Sequence, residues 1–257
     1  MPADLVQRTR TAVADAGQAE GLLRETLGGG AAELRDIRVM ASGLPHAQWN
    51  SADVTGPEPD LGGASAFYTT RGLPWGIRVA AGSPRAHGRY VMRQRLMALS
   101  ARNLQAAGAV PGLDLALAGP DELECVVAID AAAFGEDPET DRPWIEPHLS
   151  AAEVQTAMAR FGGKPVATGY TVRTDGRAGP ALYLGGIAVL AEFRRRGVAA
   201  AAASWLLERG FAAGADFAHL HADSEESARV FARLGFQEAG ELDVYEVERL
   251  DPIMVKP

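Results

Sequence analysis

Apolar and polar positions change their period several times along this chain, and the changes mark out its elements. Residues 3–27 space their apolar positions as a helix does, and Gly28-Gly29-Gly30 stops them. SGLPHAQWNSADVTGPEPDLGG (42–63) is rich in Gly, Pro, Ser and Asp and reads mainly as loop. Phe67–Thr70 and Trp75–Ala80 read as short extended pieces, and 89–107 reads as a helix. From 113 onward the pattern is clearer. LDLALAG (113–119) is a strand, and Pro120 opens a helix to about Phe134. GEDPETDRPWIEPHLSAAE (135–153) is loop and helix. QTAMARF, Gly162-Gly163 and KPVATGYTVRT make a hairpin. PALYLGGIAVL (180–190) is a buried strand bounded by charge, followed by an Ala-rich helix over 197–214. A short strand DFAHLHA, a helix SEESARVFARL ended by Gly235, and the extended segments FQEAG and DVYEVERL complete the chain. The fold class this predicts is α/β with a mixed sheet.

The predicted break lies near Pro111-Gly112, giving a domain over 1–112 and another over 113–257. SARNLQAAGA (100–109) and SARVFARLGF (227–236) match at Ser, Ala, Arg and Gly at an offset of half the chain. Both are expected to be helices stopped by glycine, Gly108 and Gly235, which points to two related halves.

Length and composition narrow the class. At 257 residues, a domain per about 150 residues gives one large or two small domains. The longest uncharged apolar stretch, Ala178–Ala191, has 14 residues, short of the roughly 18 that a membrane-spanning helix needs. The N-terminal segment lacks the apolar core of a secretory signal. A single cysteine, Cys125, excludes an internal disulfide and a thiolate zinc site, so the expectation is a reducing cytoplasm and no metal. Cys125 itself is expected to be a small core residue.

Charge is unevenly divided. Residues 1–112 carry 12 Arg, no Lys and 9 acids; residues 113–257 carry 13 bases and 24 acids. An acidic domain repels nucleic acid and anionic membrane surfaces and attracts cations.

Against that acidic background, VLAEFRRRGVA (189–199) joins an apolar strand directly to a helix start. A helix start offers backbone N–H groups without intrahelical partners and the positive end of the dipole. Gly197 permits close backbone approach, Ala199 is small, and Arg194, Arg195 and Arg196 add positive charge. The arrangement suits a pyrophosphate; a solvated basic turn capped by glycine is the other reading of the same residues. No Walker lysine motif and no GxGxxG after a strand is present.

Arg194-x-x-Gly197-x-Ala199, following Val189 on a strand and leading into an Ala/Leu-rich helix, resembles the coenzyme A pyrophosphate loop of the GNAT superfamily of N-acyltransferases. SEESARVFARLGFQEAG (224–240) is similar to the block that follows in that family, so the resemblance covers about 113–250. FYTTRGLPWGIRV and LQAAGAVPGLDLAL resemble the degenerate N-terminal half of tandem members. Arg85-Ala86-His87-Gly88 has an Arg and a Gly but continues into Arg89-Tyr90 rather than small residues. The first half is therefore expected to lack a phosphate loop and to serve as a structural partner that shapes the acceptor cleft.

The resemblance implies acetyl-CoA as co-substrate and a direct attack of an amine on its thioester. It implies backbone contacts from Ile187, Ala188 and Val189 to the pantetheine arm, and N–H groups of Arg195, Arg196, Gly197, Val198 and Ala199 on the pyrophosphate. Gly185-Gly186 marks either a bulge that splays the strands or close strand packing. Two positions depart from the family pattern: Phe231 stands where a Tyr is common, and Ser224 where an Asn is common. Both remain candidates for coenzyme contact, and the Ser224 hydroxyl for a bond to pantetheine or water. No acid lies on PALYLGGIAVL, so His221 is the first candidate base, with His219 at the same parity and Tyr183 or Tyr245 as replacements for the missing acid. The acceptor is expected to be a small-molecule amine or a protein amino group entering over 135–149, where acids flank Trp144 and His148. The runner-up function is a catalytically silent acyl-CoA-binding or regulatory protein. A homodimer is compatible with either.

Overall fold

The structure is a computed structural model that describes residues 3–83 and 88–247. Arg85-Ala86-His87 and residues 248–250 of the last extended segment lie outside the described residues. The fold is mixed α/β, and the chain divides into two compact units. One comprises residues up to 96 together with those from 239 on; the other spans Met97–Glu238.

The first unit has helix α1 (Ala3–Leu23), strands β1 (Gly30–Leu34), β2 (Ile37–Ala41) and β3 (Ser51–Val54), helix α2 (Leu61–Thr69), β4 (Trp75–Ala80) and most of β5 (Arg89–Ser100). The late strand β11 (Gln237–Val247) returns to pair antiparallel with β4, from Leu242↔Ala80 to Val247↔Trp75. The region read mainly as loop therefore contains β3 and the start of α2. Phe67–Thr70 is the end of α2 and not extended: the Asp60 side chain accepts from the Gly63 N–H at 2.8 Å and starts a helix that aromatic propensity alone obscures. Tyr68 at its end is fully buried, stacks on Trp75 and donates to the Met40 carbonyl at 3.0 Å. Two ion pairs, buried Arg38–Asp15 and partly buried Arg78–Asp53, each at 2.6 Å, bridge elements of this unit.

Residues 89–100 form a strand where the sequence predicts a helix. Leu96, Met97, Ala98 and Leu99 are all buried, and a short continuous apolar run fits a buried strand as well as a helix. Beyond it, Ala101–Asn103 is a single 3-10 turn and Gly108 stops no helix. The matched segment 227–236 lies mostly in α6 (Glu225–Arg233), so the ten-residue likeness is not a structural repeat.

In the second unit the strand order is β5-β10-β9-β8-β7-β6. Its elements are β6 (Leu113–Leu117), α3 (Leu123–Phe134), α4 (Pro138–Ile145), β7 (Val154–Phe161), β8 (Lys164–Gly176), β9 (Gly179–Val189), α5 (Val198–Ala212), β10 (Phe217–Ala222) and α6. Neighbours from β6 to β9 are antiparallel, and β9 and β10 run parallel. One face of the sheet packs Leu182, Leu184, Ala218 and Leu220 against Ala203, Leu206 and Leu207 of α5 and Phe231 of α6. The other packs Met158 and Ala188 against Val126, Val127 and Ile129 of α3 and Ile145 of α4. Cys125 is exposed rather than in the core, because the buried positions of α3 place it on the outer side.

Candidate active site

The site begins with an irregularity in β9. Thr168 opposes Ala188 and Tyr170 opposes Gly185, so Gly169 alone faces Gly186 and Ile187. Two residues against one is a bulge, and Gly186 takes φ +58°, which a glycine adopts without the steric penalty of a side chain. The bulge reverses the strand's parity. Before it, the even positions Leu182 and Leu184 face α5; after it, the odd positions Ile187 and Val189 pack with the cores on that side, and Ala188 turns to α3 and α4. Of the two readings of Gly185-Gly186, the bulge is the one present, and close packing accompanies it.

β9 then separates from its parallel neighbour. Their pairing runs from Phe217↔Ala181 to His219↔Tyr183 and ends there, although β9 continues to Val189 and β10 to Ala222. Beyond His219 no further residue pair joins β9 to β10 among the described residues. His221 stands two residues past the last pair on the face that carries Tyr183, its ring 5.7 Å from that phenol ring.

At the end of β9 a short turn leads into α5. Arg195 has φ +61° and Gly197 φ +82°, and the first helical bond runs from the Ala201 N–H to the Gly197 carbonyl. The N–H groups of Val198, Ala199 and Ala200 precede that bond and point out of the helix start. The three arginines divide their work. Arg194 donates through Nε to the Val189 carbonyl at 3.0 Å and through Nη2 to the Ala133 carbonyl at 2.9 Å. It ties the end of β9 to the last turn of α3, where a cation is favoured by the helix dipole. Arg196 lies over the Phe161 ring at 4.9 Å, and Arg195 and Arg196 are both exposed beside the helix start.

Residues 123–236 match the model of the Acetyltransferase (GNAT) family. The chain carries a GNAT acetyltransferase domain. The structural likeness extends over nearly all of the chain. A GCN5-related N-acetyltransferase from Kribbella flavida is 19% identical, with TM-score 0.68 over 92% of this chain and 95% of that one. One from Sphaerobacter thermophilus is 18% identical, with TM-score 0.58 over 98% and 94%. A tandem GNAT protein from the clavulanic acid biosynthesis pathway is 15% identical, with TM-score 0.56 over 84% and 79%. At these identities the likeness is one of fold. No curated protein matches the sequence.

Next to the bulge, the GNAT domain has a cavity of about 180 Å³ that opens to solvent. Asp130 of α3 lines it with Trp144, His148, Tyr170 and the Gly186 backbone. The Asp130 carboxyl is pushed up to about 7, first by burial and then by the charges of Asp141 and Glu136. The aromatic groups run in a continuous line across this face of the sheet. Trp144 meets His148 at 5.9 Å, His148 meets Tyr170 at 4.3 Å, Tyr170 meets Tyr183 at 6.1 Å, and Tyr183 meets both His219 and His221. Sequence reasoning singles out His221, Tyr183, Trp144 and His148 separately, and the fold joins them. Asp130 and Tyr170 were missed. A carboxylate inside the otherwise apolar VVAIDAAAF was the available signal for Asp130, since such a charge is costly unless it has a use.

Ser224 is the N-cap of α6: its Oγ accepts from the Ser227 N–H at 3.1 Å. Phe231 is buried in the α5–α6 core, edge-on to Phe236. Tyr245 belongs to β11 in the other unit, where it opposes Ile77. Among the described residues no cluster of three or more His, Cys, Asp or Glu is arranged to hold a metal ion, and no helix is long and apolar enough to cross a membrane.

Proposed function

We propose that the chain is an acyl-CoA-dependent N-acyltransferase that moves the acetyl group of acetyl-CoA to a primary amine by direct attack. The observation that carries this reading is the parting of β9 and β10 beyond Tyr183↔His219, in line with an uncapped helix start flanked by exposed arginines. The strand backbone of Ile187, Ala188 and Val189 holds the pantetheine amides. The N–H groups of Arg195, Arg196, Gly197, Val198 and Ala199 hold the pyrophosphate, and Arg194 supports the turn from behind. The thioester then lies in the gap beside Tyr183 and His221. His221 takes the proton that the amine nitrogen loses as the new amide forms, and returns it to the departing thiolate. Ser224 serves pantetheine from the start of α6, and Phe231 supports the coenzyme side from within the core. The halves 1–112 and 113–257 are read as a tandem in which only the second carries a phosphate loop.

Titrating the purified chain with acetyl-CoA by calorimetry tests the donor side. One site per chain at micromolar affinity is expected. Two sites would overturn the assignment of the first half, and no binding heat at several temperatures would overturn the acetyl-CoA reading.

A catalytically silent acyl-CoA-binding protein is the second reading, and one observation favours it: Phe231 is a core residue with no proton to give. Binding is common to both readings. Turnover of acetyl-CoA with any amine decides for the enzyme.

A further inference from the structure

We infer that the cavity between α3, α4 and β8 is the acceptor site, and that it takes a small primary amine with an apolar body whose ammonium sits on Asp130. The inference rests on the proposed acetyl transfer and adds to it the class of acceptor and a second proton-accepting residue.

Size sets the first limit. Sites for drug-sized ligands run to roughly 300–1,000 Å³, whereas a cavity of about 150 Å³ takes benzene. At about 180 Å³ the space matches one ring or a short branched chain with an aminoalkyl arm. Polarity sets the second. Val126, Phe134, Trp144 and Ile145 make its walls apolar, and Asp130 is its one carboxylate. An ammonium enclosed by aromatic faces and a single carboxylate is held by charge and by the ring quadrupoles together. Position sets the third. A methyl built on Gly186 would stand 3.7 Å from Asp130 Oδ2, so the carboxylate looks onto the bulge from which the proposed pantetheine strand begins.

The proton count then closes with two groups. The acceptor arrives as R–NH₃⁺, and Asp130 as a carboxylate removes one proton to leave R–NH₂. The nitrogen lone pair forms the bond to the thioester carbon, and the C–S bond breaks. The second nitrogen proton passes through His221 to the thiolate sulfur, giving the amide and free CoA. Asp130 returns its proton to water. The groups facing Asp130 from the packed elements are Asp141 of α4 and Glu136 of the preceding turn, with His148 and Tyr170 on the opposite wall. Burial first, and then the two acids, oppose its ionisation and hold it near the neutral range where a base works best.

The test uses the full chain with acetyl-CoA and three acceptors: 2-phenylethylamine, spermidine and a lysine-containing peptide. The expected result is a kcat/KM for 2-phenylethylamine at least about tenfold above the others. Asp130→Asn should lower it by about 100-fold, abolish its rise through pH 7, and leave acetyl-CoA affinity unchanged by calorimetry. Phe134 is half exposed at the mouth, so Phe134→Ala should fold and shift preference toward bulkier arylalkylamines. Failure of acetyl-CoA to bind would overturn the transferase reading and this inference with it. If acetyl-CoA binds and an amine is turned over, two outcomes overturn the inference alone: faster turnover of spermidine or peptide, or an Asp130→Asn variant with unaltered rate and pH profile. Binding with no turnover of any amine would overturn the transferase reading and this inference together.

Discussion

Gly186 and Tyr170 stand closer than any side chain between them would allow: a methyl on Gly186 would lie 2.7 Å from Cε1 of the Tyr170 ring. The same residue sits at φ +58°, so an L side chain there is strained by backbone and by contact together. Gly186→Ala is expected to cost about 1–3 kcal/mol of stability and to push the Tyr170 ring into the cavity. In kinetics this should raise the acceptor KM while acetyl-CoA affinity changes little. A variant with unaltered acceptor KM would separate the bulge from acceptor binding.

The raised Asp130 carboxyl also makes a statement about stability. Its folded value, about 7, lies above the ordinary carboxylate value of 3.8, so between these values the folded state holds a proton that the unfolded chain has released. Stability therefore falls as pH rises through that window, by at most about 1.4 kcal/mol per pH unit, and levels off above it. Asp141 is raised by burial and by Glu136 and Asp137, with the same sign. Asp130→Asn removes the Asp130 contribution. Urea unfolding at pH 5 and pH 8 should show the wild type losing more stability than the variant across that range. Equal losses would mean that Asp130 titrates normally.

Arg194 looks like a phosphate ligand in the sequence, but its guanidinium is committed to the Val189 and Ala133 carbonyls. Arg194→Ala is therefore expected to lower stability by about 1–2 kcal/mol. Replacing Arg195 and Arg196 by Ala should instead leave the melting temperature nearly unchanged and weaken acetyl-CoA binding, and the loss should shrink at high salt. The opposite pattern, with Arg194 governing affinity, would show that its guanidinium leaves these carbonyls when the coenzyme arrives.

How far the sequence reaches follows from which physical rules act locally. The order from β6 to α6 is legible because alternation in QTAMARF, the Gly162-Gly163 turn and the Ala-rich run after Gly197 are each decided within a few residues. The turn at 194–199 is legible for the same reason. β5 is not, since LMAL is buried on both faces and its period cannot separate strand from helix. The partner of β11 is not either: nothing in DVYEV says that it returns to β4 of the first unit. The parity reversal at Gly186 depends on a register against β8, so it is a pairing property rather than a pattern. Asp130 belongs to the cavity through the approach of α3, α4 and β8, and no spacing in the sequence joins Asp130 to Tyr170.

Ser224 poses a question that two substitutions can separate. Its Oγ caps α6 by accepting from the Ser227 N–H, and the same hydroxyl is the proposed contact to pantetheine. Ala removes both roles, with a cost of about 1 kcal/mol for the cap. Asp keeps a cap acceptor and suits the dipole at a helix start, but it has no proton to donate at neutral pH and adds a charge. If the hydroxyl serves the coenzyme, Ser224→Asp should keep the wild-type melting temperature and still weaken acetyl-CoA binding several-fold. Ser224→Ala should lose both. If the hydroxyl is a cap alone, Ser224→Asp should bind acetyl-CoA as the wild type does, once measured at high salt so that the added charge is screened.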